Sequence, residues 1–415
     1  MAALRRINQE DLRNHNLSVV LDTLLQSRTP LSRAELAKAT GLTKATMSLL
    51  GSILLDNRVV VERDPSVQST YGRPSTPLAI APGTWAGIGL QINTDGYGYI
   101  VLDLTGRTVA REWISENLGE AGPEEAFDRL DALVGPTERQ ITDMGYHIVG
   151  TGLALPGLVT DDQRLLSAPN LGWGMVDLQE FAMTRRLHVV AGNEANMAAL
   201  AQIPGYATCR AAAEESDGGE APVIETDGSF LYVSTDVGIG GAMVRDGRVV
   251  TGDHGFSGEI GHLSVSLDGP VCRCGRVGCL EAYAGRRAMV EAAGIADRRD
   301  AARAGAAIEL YERWRRGDGP AVATIARAVE ALASAIASTL NLMDAQTVVL
   351  GGFWQQFGDE LAQRLTRMVA AQVLAGDELD VRVLMPLVRD RPALRGAAEV
   401  GLRRFIDDPL AYLSA

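Results

Sequence analysis

One stretch of this sequence gathers four metal-seeking side chains: His262, Cys272 ten residues on, then Cys274 and Cys279. Three thiolates and one imidazole form the donor set of a closed tetrahedral zinc site. Gly275 and Gly278 let the chain turn back so that closely spaced sulfurs face a single ion. All four positions are then filled by protein and none is left for water, so one structural zinc per chain is expected, not a hydrolytic one. The bland alternative is three free cysteines in a loop. The remaining cysteine, Cys209, reads as an ordinary small buried residue.

The elements that must position this loop belong to a chain of 415 residues, long enough for two or three domains. Hydrophobic residues make up 46% and charged residues 22%, which excludes a disordered or collagen-like chain. No apolar run reaches the length of a bilayer span, and MAALRRINQEDLRNHN at the start has no apolar secretory core. The expectation is a cytoplasmic protein with no membrane partner. The net charge of -13 argues against a surface that coats nucleic acid throughout. It is unevenly spread, however. Residues 1–80 hold 10 basic and 7 acidic side chains, hence +3, against -16 for the rest, and both lysines, Lys38 and Lys44, lie in that head. The body therefore has no lysine for a Schiff base or a phosphate clamp.

The head reads as helix, helix, turn, helix and ribbon. Residues 14–27 carry apolar side chains at helical spacing. Ser32 with Glu35 forms a capping box before Arg33–Ala39, Thr40-Gly41 makes a turn, and Thr43 caps Lys44–Leu55. Two short apolar runs, Val59–Glu62 and Pro77–Ile80, flank a polar loop containing Gly72-Arg73-Pro74. That order describes a winged helix-turn-helix over residues 1–80. Thr43, Lys44, Thr46 and Ser48 begin the recognition helix and suit phosphates and base edges, while Arg73 at the wing suits a narrow minor groove. A winged helix used for protein contact is the competing reading.

The body reads as α/β. Residues 86–114 give three strands, Glu124–Asp143 an amphipathic helix, Tyr146–Leu155 a strand, Asp177–Arg186 a helix and residues 210–228 an acidic surface loop. Strands follow in 229–251, an irregular Gly- and Cys-rich stretch in 253–283 and helices in 285–341. Strand–helix pairs then run to a last helix, Leu394–Ile406. The two halves resemble each other in element order.

Within this frame the step Gly258-Glu259-Ile260-Gly261-His262, followed by Cys272-x-Cys274-Gly-x-x-Gly-Cys279-Leu280-Glu281, resembles the ROK family of sugar kinases and sugar-responsive repressors. Pro156-Gly157, Ala168–Trp173, Asn193-Glu194-Ala195-Asn196, Gly238-Ile239-Gly240-Gly241 and Leu350-Gly351-Gly352 fall in the order the family would have them. The resemblance covers roughly residues 80–405. It implies a two-lobed actin-like ATPase (ribonuclease H-like) fold behind the winged head. The first lobe would hold 81–192 plus 393–415, and the second, with the zinc loop and dimerisation helices, 193–392. It also implies a monosaccharide in the cleft between the lobes, held by Asn170, Asn193, Glu194, Glu259, His262 and Glu281. Carboxylates accept from vicinal hydroxyls and Asn both donates and accepts. His262 would turn one ring nitrogen to zinc and the other to the sugar.

Departures from the kinase pattern separate the family's two activities. The kinases' first phosphate turn carries an Asp and a Gly-Gly-Thr-Lys-like step; the matching residues are Gln91, Asn93, Thr94 and Asp95. The second, Gly-Thr-Gly, reads Asp236-Val237-Gly238, and the catalytic Asp is Glu194. Side chains and carboxylates stand where amides should approach a phosphate. The expectation is a repressor without ATP that reads a palindromic operator as a homodimer or dimer of dimers. An active ATP-dependent sugar kinase with an accessory DNA-binding head is the alternative, as is a regulator driven by a protein partner.

Overall fold

The computed structural model describes residues 8–27, 29–64, 76–119, 121–215, 224, 228–297, 304–374, 376 and 378–413. The head opens with the helix Gln9–Gln26, whose Asn8 cap accepts from the Glu10 and Asp11 amides and whose inner face buries Leu17, Val20, Leu21, Leu24 and Leu25. Ser32 and Glu35 do form a capping box at Arg33–Thr40, which Gly41 ends in the left-handed conformation at φ 72. Thr43 caps Lys44–Asp56. Pro77–Ile80 pairs antiparallel with both Leu31–Ser32 and Val60–Glu62. This is the layout of a winged helix. Arg73 lies outside the described residues.

The body holds two five-stranded sheets with one shared topology. In the first, Trp85–Asn93 sits centrally; Gly96–Asp103 and Thr108–Ser115 add antiparallel on one side, His147–Leu155 and Val189–Asn193 parallel on the other. In the second, Phe230–Thr235 is central, with Ile239–Arg245 and Arg248–Val250 on one side and Thr347–Gly352 and Arg382–Leu384 on the other. Three antiparallel strands followed by two parallel ones, twice over, are the repeated halves anticipated from element order.

The closing helix, Pro392–Asp407, lies flush on the first sheet. Glycines make this approach possible: a Cβ at Gly89 would overlap the Leu394 carbonyl, and one at Gly152 the Ala397 carbonyl. The same helix packs on Glu194–Leu200 and, at its far end, on the head. There Arg403 Nη1 meets Asp22 Oδ1 at 2.6 Å, and Asn14 Nδ2 donates to Asp408 Oδ1 at 2.8 Å. Leu17, Leu21, Leu36 and Leu50 of the head share one continuous core with Trp85, Leu402 and Phe405 of the body.

Three expectations need correction. Residues 207–215 form a helix, Ala207–Glu215, where a loop was expected from 210; its alanines and glutamates are strong helix formers. The helix expected over Asp177–Arg186 is broken into a strand residue, a single tight turn Leu178–Glu180 and the short helix Ala182–Arg186. The break falls where the Asp177 side chain accepts from the Gln179 amide. Finally, Gly319–Met343 is long and apolar enough to cross a membrane by length and composition. Its alanines obscure that in the sequence. Ala321, Ile325, Ala328, Val329, Leu332 and Ile336 are buried, as in the core helix of a globular domain.

Candidate functional site

A cleft of ≈ 650 Å³ opens between the two sheets. Asn170, Asn193, Glu194, Glu259, His262 and Glu281 all line it, so the fold brings together, from well-separated stretches of chain, the six residues expected to hold a sugar.

Asn193 and Glu194 sit where the strand Val189–Asn193 meets the helix Glu194–Leu200. Asn193 caps that helix: its Oδ1 accepts from the Ala195 amide at 2.8 Å and the Asn196 amide at 3.4 Å, and its Nδ2 donates to the Gly157 carbonyl at 2.8 Å. One N–H remains to face a ligand. Glu194 follows, half-buried at the cleft floor. Burial, with Asp236 and Asp95 nearby, pushes its carboxyl up to about 8 against the opposing pull of Gln91 and Arg286. A carboxyl that keeps its proton at neutral pH can donate a hydrogen bond to a hydroxyl.

A pH dependence follows. Between about 4.5 and about 8 the unfolded chain has released this proton while the folded chain holds it, so stability falls as pH rises through that window. Glu194→Gln lacks this loss. The urea midpoint of the variant relative to the parent is expected to rise from pH 5 to pH 8; a constant difference would show that Glu194 titrates normally.

Glu281 is held by its Oε2, which accepts from the Ile239 amide at 3.1 Å. Gly238 has no side chain because a Cβ there would overlap the same oxygen. Glu259 Oε2 stands 4.0 Å from His262 Nε2, and burial raises its carboxyl above the usual range. The other ring nitrogen, His262 Nδ1, is 3.9 Å from Cys272 Sγ, while Cys274 Sγ is 3.7 Å from Cys279 Sγ. All four ligand atoms lie within 4.8 Å of one another. Metal–sulfur bonds of about 2.3 Å at tetrahedral angles place sulfurs about 3.8 Å apart, so the cluster fits one tetrahedral ion. Gly275 and Gly278 take φ 88 and 72 at the two turns, as the sulfur spacing requires. Cys209 is buried away from this cluster, its Sγ 3.6 Å from the Gln202 carbonyl.

The other half of the cleft holds the two turns that bind phosphate in the kinase pattern. Each is closed on itself. The Asp95 amide donates to Asn93 Oδ1 at 2.9 Å, and the Asp236 amide to the Gly238 carbonyl at 2.9 Å. A residue that sequence reasoning missed ties them together: Arg286, whose side chain is 6% exposed, reaches Asp95 Oδ2 at 3.0 Å and Asp236 Oδ1 at 3.4 Å. One guanidinium thus bridges the two carboxylates where the kinase pattern has its phosphate turns. Arg391 beside them, also missed, stacks 3.7 Å over the Trp113 ring.

On the head, Thr43, Lys44 and Ser48 are exposed at the start of Lys44–Asp56 and Thr46 is half-buried. Thr43 Oγ1 and Thr46 Oγ1 are 2.9 Å apart, and Ser48 Oγ donates to the Lys44 carbonyl at 2.9 Å. Lys44 is thus the charged group this face presents.

Comparison with known proteins places these features. The chain belongs to the ROK family, whose profile matches residues 88–403. It is similar to a putative xylose repressor of Caldicellulosiruptor sp. (strain Rt8B.4), 28% identical over 416 residues and 98% of each chain. It is also similar to an N-acetylmannosamine kinase of Escherichia coli, 34% identical over 281 residues, 66% of this chain and 84% of that one. Among solved structures, a ROK family transcriptional regulator homologous to the E. coli MLC protein superposes with a TM-score of 0.74 at 23% identity, covering 96% of this chain and 98% of its own. A ROK family glucokinase from Streptomyces griseus, in complex with glucose and AMPPNP, gives 0.61 at 22% identity over 77% of this chain and 99% of its own. These superpositions show that the chain shares the fold of ROK family proteins, and the first extends over nearly its whole length.

Proposed function

We propose that this protein is a sugar-responsive transcriptional repressor with no kinase activity. One observation carries the reading: a sugar-type cleft is intact while both phosphate turns beside it are closed by their own groups and bridged by Arg286. Similarity along nearly the whole chain to a putative xylose repressor supports it, because that similarity includes the head. Asn170, Asn193, Glu194, Glu259, His262 and Glu281 hold a monosaccharide. His262, Cys272, Cys274 and Cys279 hold one zinc, which fixes the His262 ring and so the sugar site. The head, residues 1–80, binds a palindromic operator through Thr43, Lys44, Thr46, Ser48 and Arg73 in a homodimer or dimer of dimers in the cytoplasm. Residues 81–192 plus 393–415 form the first lobe and 193–392 the second.

The test is operator binding by the full-length protein, titrated with a panel of neutral sugars. One sugar is expected to weaken operator affinity, and the operator to weaken affinity for that sugar by the same factor. With ATP and magnesium the same sugar should leave no sugar phosphate; turnover of about one per second would establish the kinase reading instead. Lys44→Ala is expected to weaken binding to operator and random DNA alike and to flatten the salt dependence by about one unit, with sugar affinity unchanged. A normal salt slope would move the DNA face elsewhere.

A further inference from the structure

A second cavity, ≈ 800 Å³, adjoins the cleft. Asn170, Val237, Arg273 and Glu281 line both, so the two spaces meet at two of the residues assigned to the sugar, Asn170 and Glu281. Arg273 stands at this junction, its Nη1 donating to Asn170 Oδ1 at 3.3 Å. Beyond it the wall is built from the zinc loop (Pro270, Val271) and from the helix Gly319–Met343 (Thr324, Arg327). Tyr283 also faces this space, with the Arg327 guanidinium 5.0 Å over its ring. A cavity of this size suits a ligand larger than one sugar ring. Its charge is also distinctive. Arg273, Arg287 and Arg327 line it against Glu281 and Glu291, and Glu281 is already engaged by the Ile239 amide. Guanidinium groups recognise carboxylates through paired hydrogen bonds.

We propose that the effector extends beyond one ring, with a second, carboxylate-bearing sugar, a uronic acid in glycosidic linkage to the first, seated in this neighbouring cavity. The proposal rests on the reading of the cleft as a sugar site. It makes the effector an acidic disaccharide fragment of a polysaccharide, with Arg327 and Tyr283 as specificity-determining residues.

The experiment is calorimetry on the full-length, zinc-loaded protein with xylose, xylobiose and glucuronosyl-xylose, and with glucose, cellobiose and cellobiouronic acid. In one of the two series the acidic disaccharide is expected to bind at least tenfold tighter than its monosaccharide and tighter than its neutral counterpart. Thr324→Trp, which fills the second cavity, should remove that gain and leave monosaccharide affinity unchanged. Arg327→Ala should remove the preference for the acidic over the neutral disaccharide. Thermal melts of both variants matching the parent would establish that they fold. If a monosaccharide binds but neither disaccharide binds tighter, or if Thr324→Trp leaves the disaccharide affinity intact, the second-cavity proposal is overturned and the sugar-effector reading stands. If the neutral disaccharide matches the acidic one, the carboxylate assignment is overturned. If no sugar of either series binds, the sugar-effector reading itself fails and the extension falls with it.

Discussion

Replacing Cys274 by serine is expected to remove the metal and the sugar affinity together. Cys274 is the exposed member of the quartet, whereas Cys272 and Cys279 are buried, so this substitution disturbs packing least. A serine oxygen is a poor replacement for a thiolate at a soft-ligand site. Without the ion the Nδ1 side of His262 loses its anchor, and the ring, whose far nitrogen stands 4.0 Å from Glu259 Oε2 in the cleft, is held less firmly. Removing a partner that orients a metal ligand costs on the order of 10–100-fold in metal affinity or activity, and a fall in sugar affinity of that order is expected here. Zinc content is read by atomic absorption and sugar affinity by calorimetry. Cys209→Ala, remote from the loop, serves as the control and should keep both. A zinc-free Cys274→Ser protein with parental sugar affinity would break the link between metal and cleft.

The second large effect is expected at Arg286. Its removal by Arg286→Gln leaves Asp95 and Asp236 facing each other across the cleft without their shared cation. Breaking a buried pair costs about 3–5 kcal/mol; here about 2–3 is expected, because the Asp236 side chain is 55% exposed to the cleft and water compensates it in part. Urea unfolding measures the loss. Adding Asp95→Asn to the same protein should recover much of it, since one unpaired charge then disappears. No recovery in the double variant would mean that Arg286 acts through packing and not through its charge.

How much of this was legible in the sequence varies with distance along the chain. The metal quartet was readable because its ligands fall within one short segment whose glycines announce the turns. The helix caps at Ser32 and Thr43 were readable because capping is local chemistry. The six cleft residues were readable only through the resemblance to the ROK family whose motifs they carry; taken singly, each could be a helix cap or a surface group. Arg286 was not: it is one arginine among many, and only the closed fold carries it to Asp95, 191 residues away. The second cavity is invisible for the same reason, being assembled from the zinc loop and a helix well beyond it in the chain. The helix at Ala207–Glu215 was missed because acidic, small residues serve a surface helix as well as a loop, and composition does not separate the two.

The closing helix has a mechanical consequence. Its 16 residues make a rod of about 24 Å. Arg391 and Pro392 at one end border the cleft, and Arg403 at the other grips Asp22 of the head. In between, its backbone presses directly on the glycines of the first sheet, so it has no room to slide. The rod thus ties the head to the first sheet and, through its packing on Glu194–Leu200, to the cleft floor as well, like an axle held in three bearings.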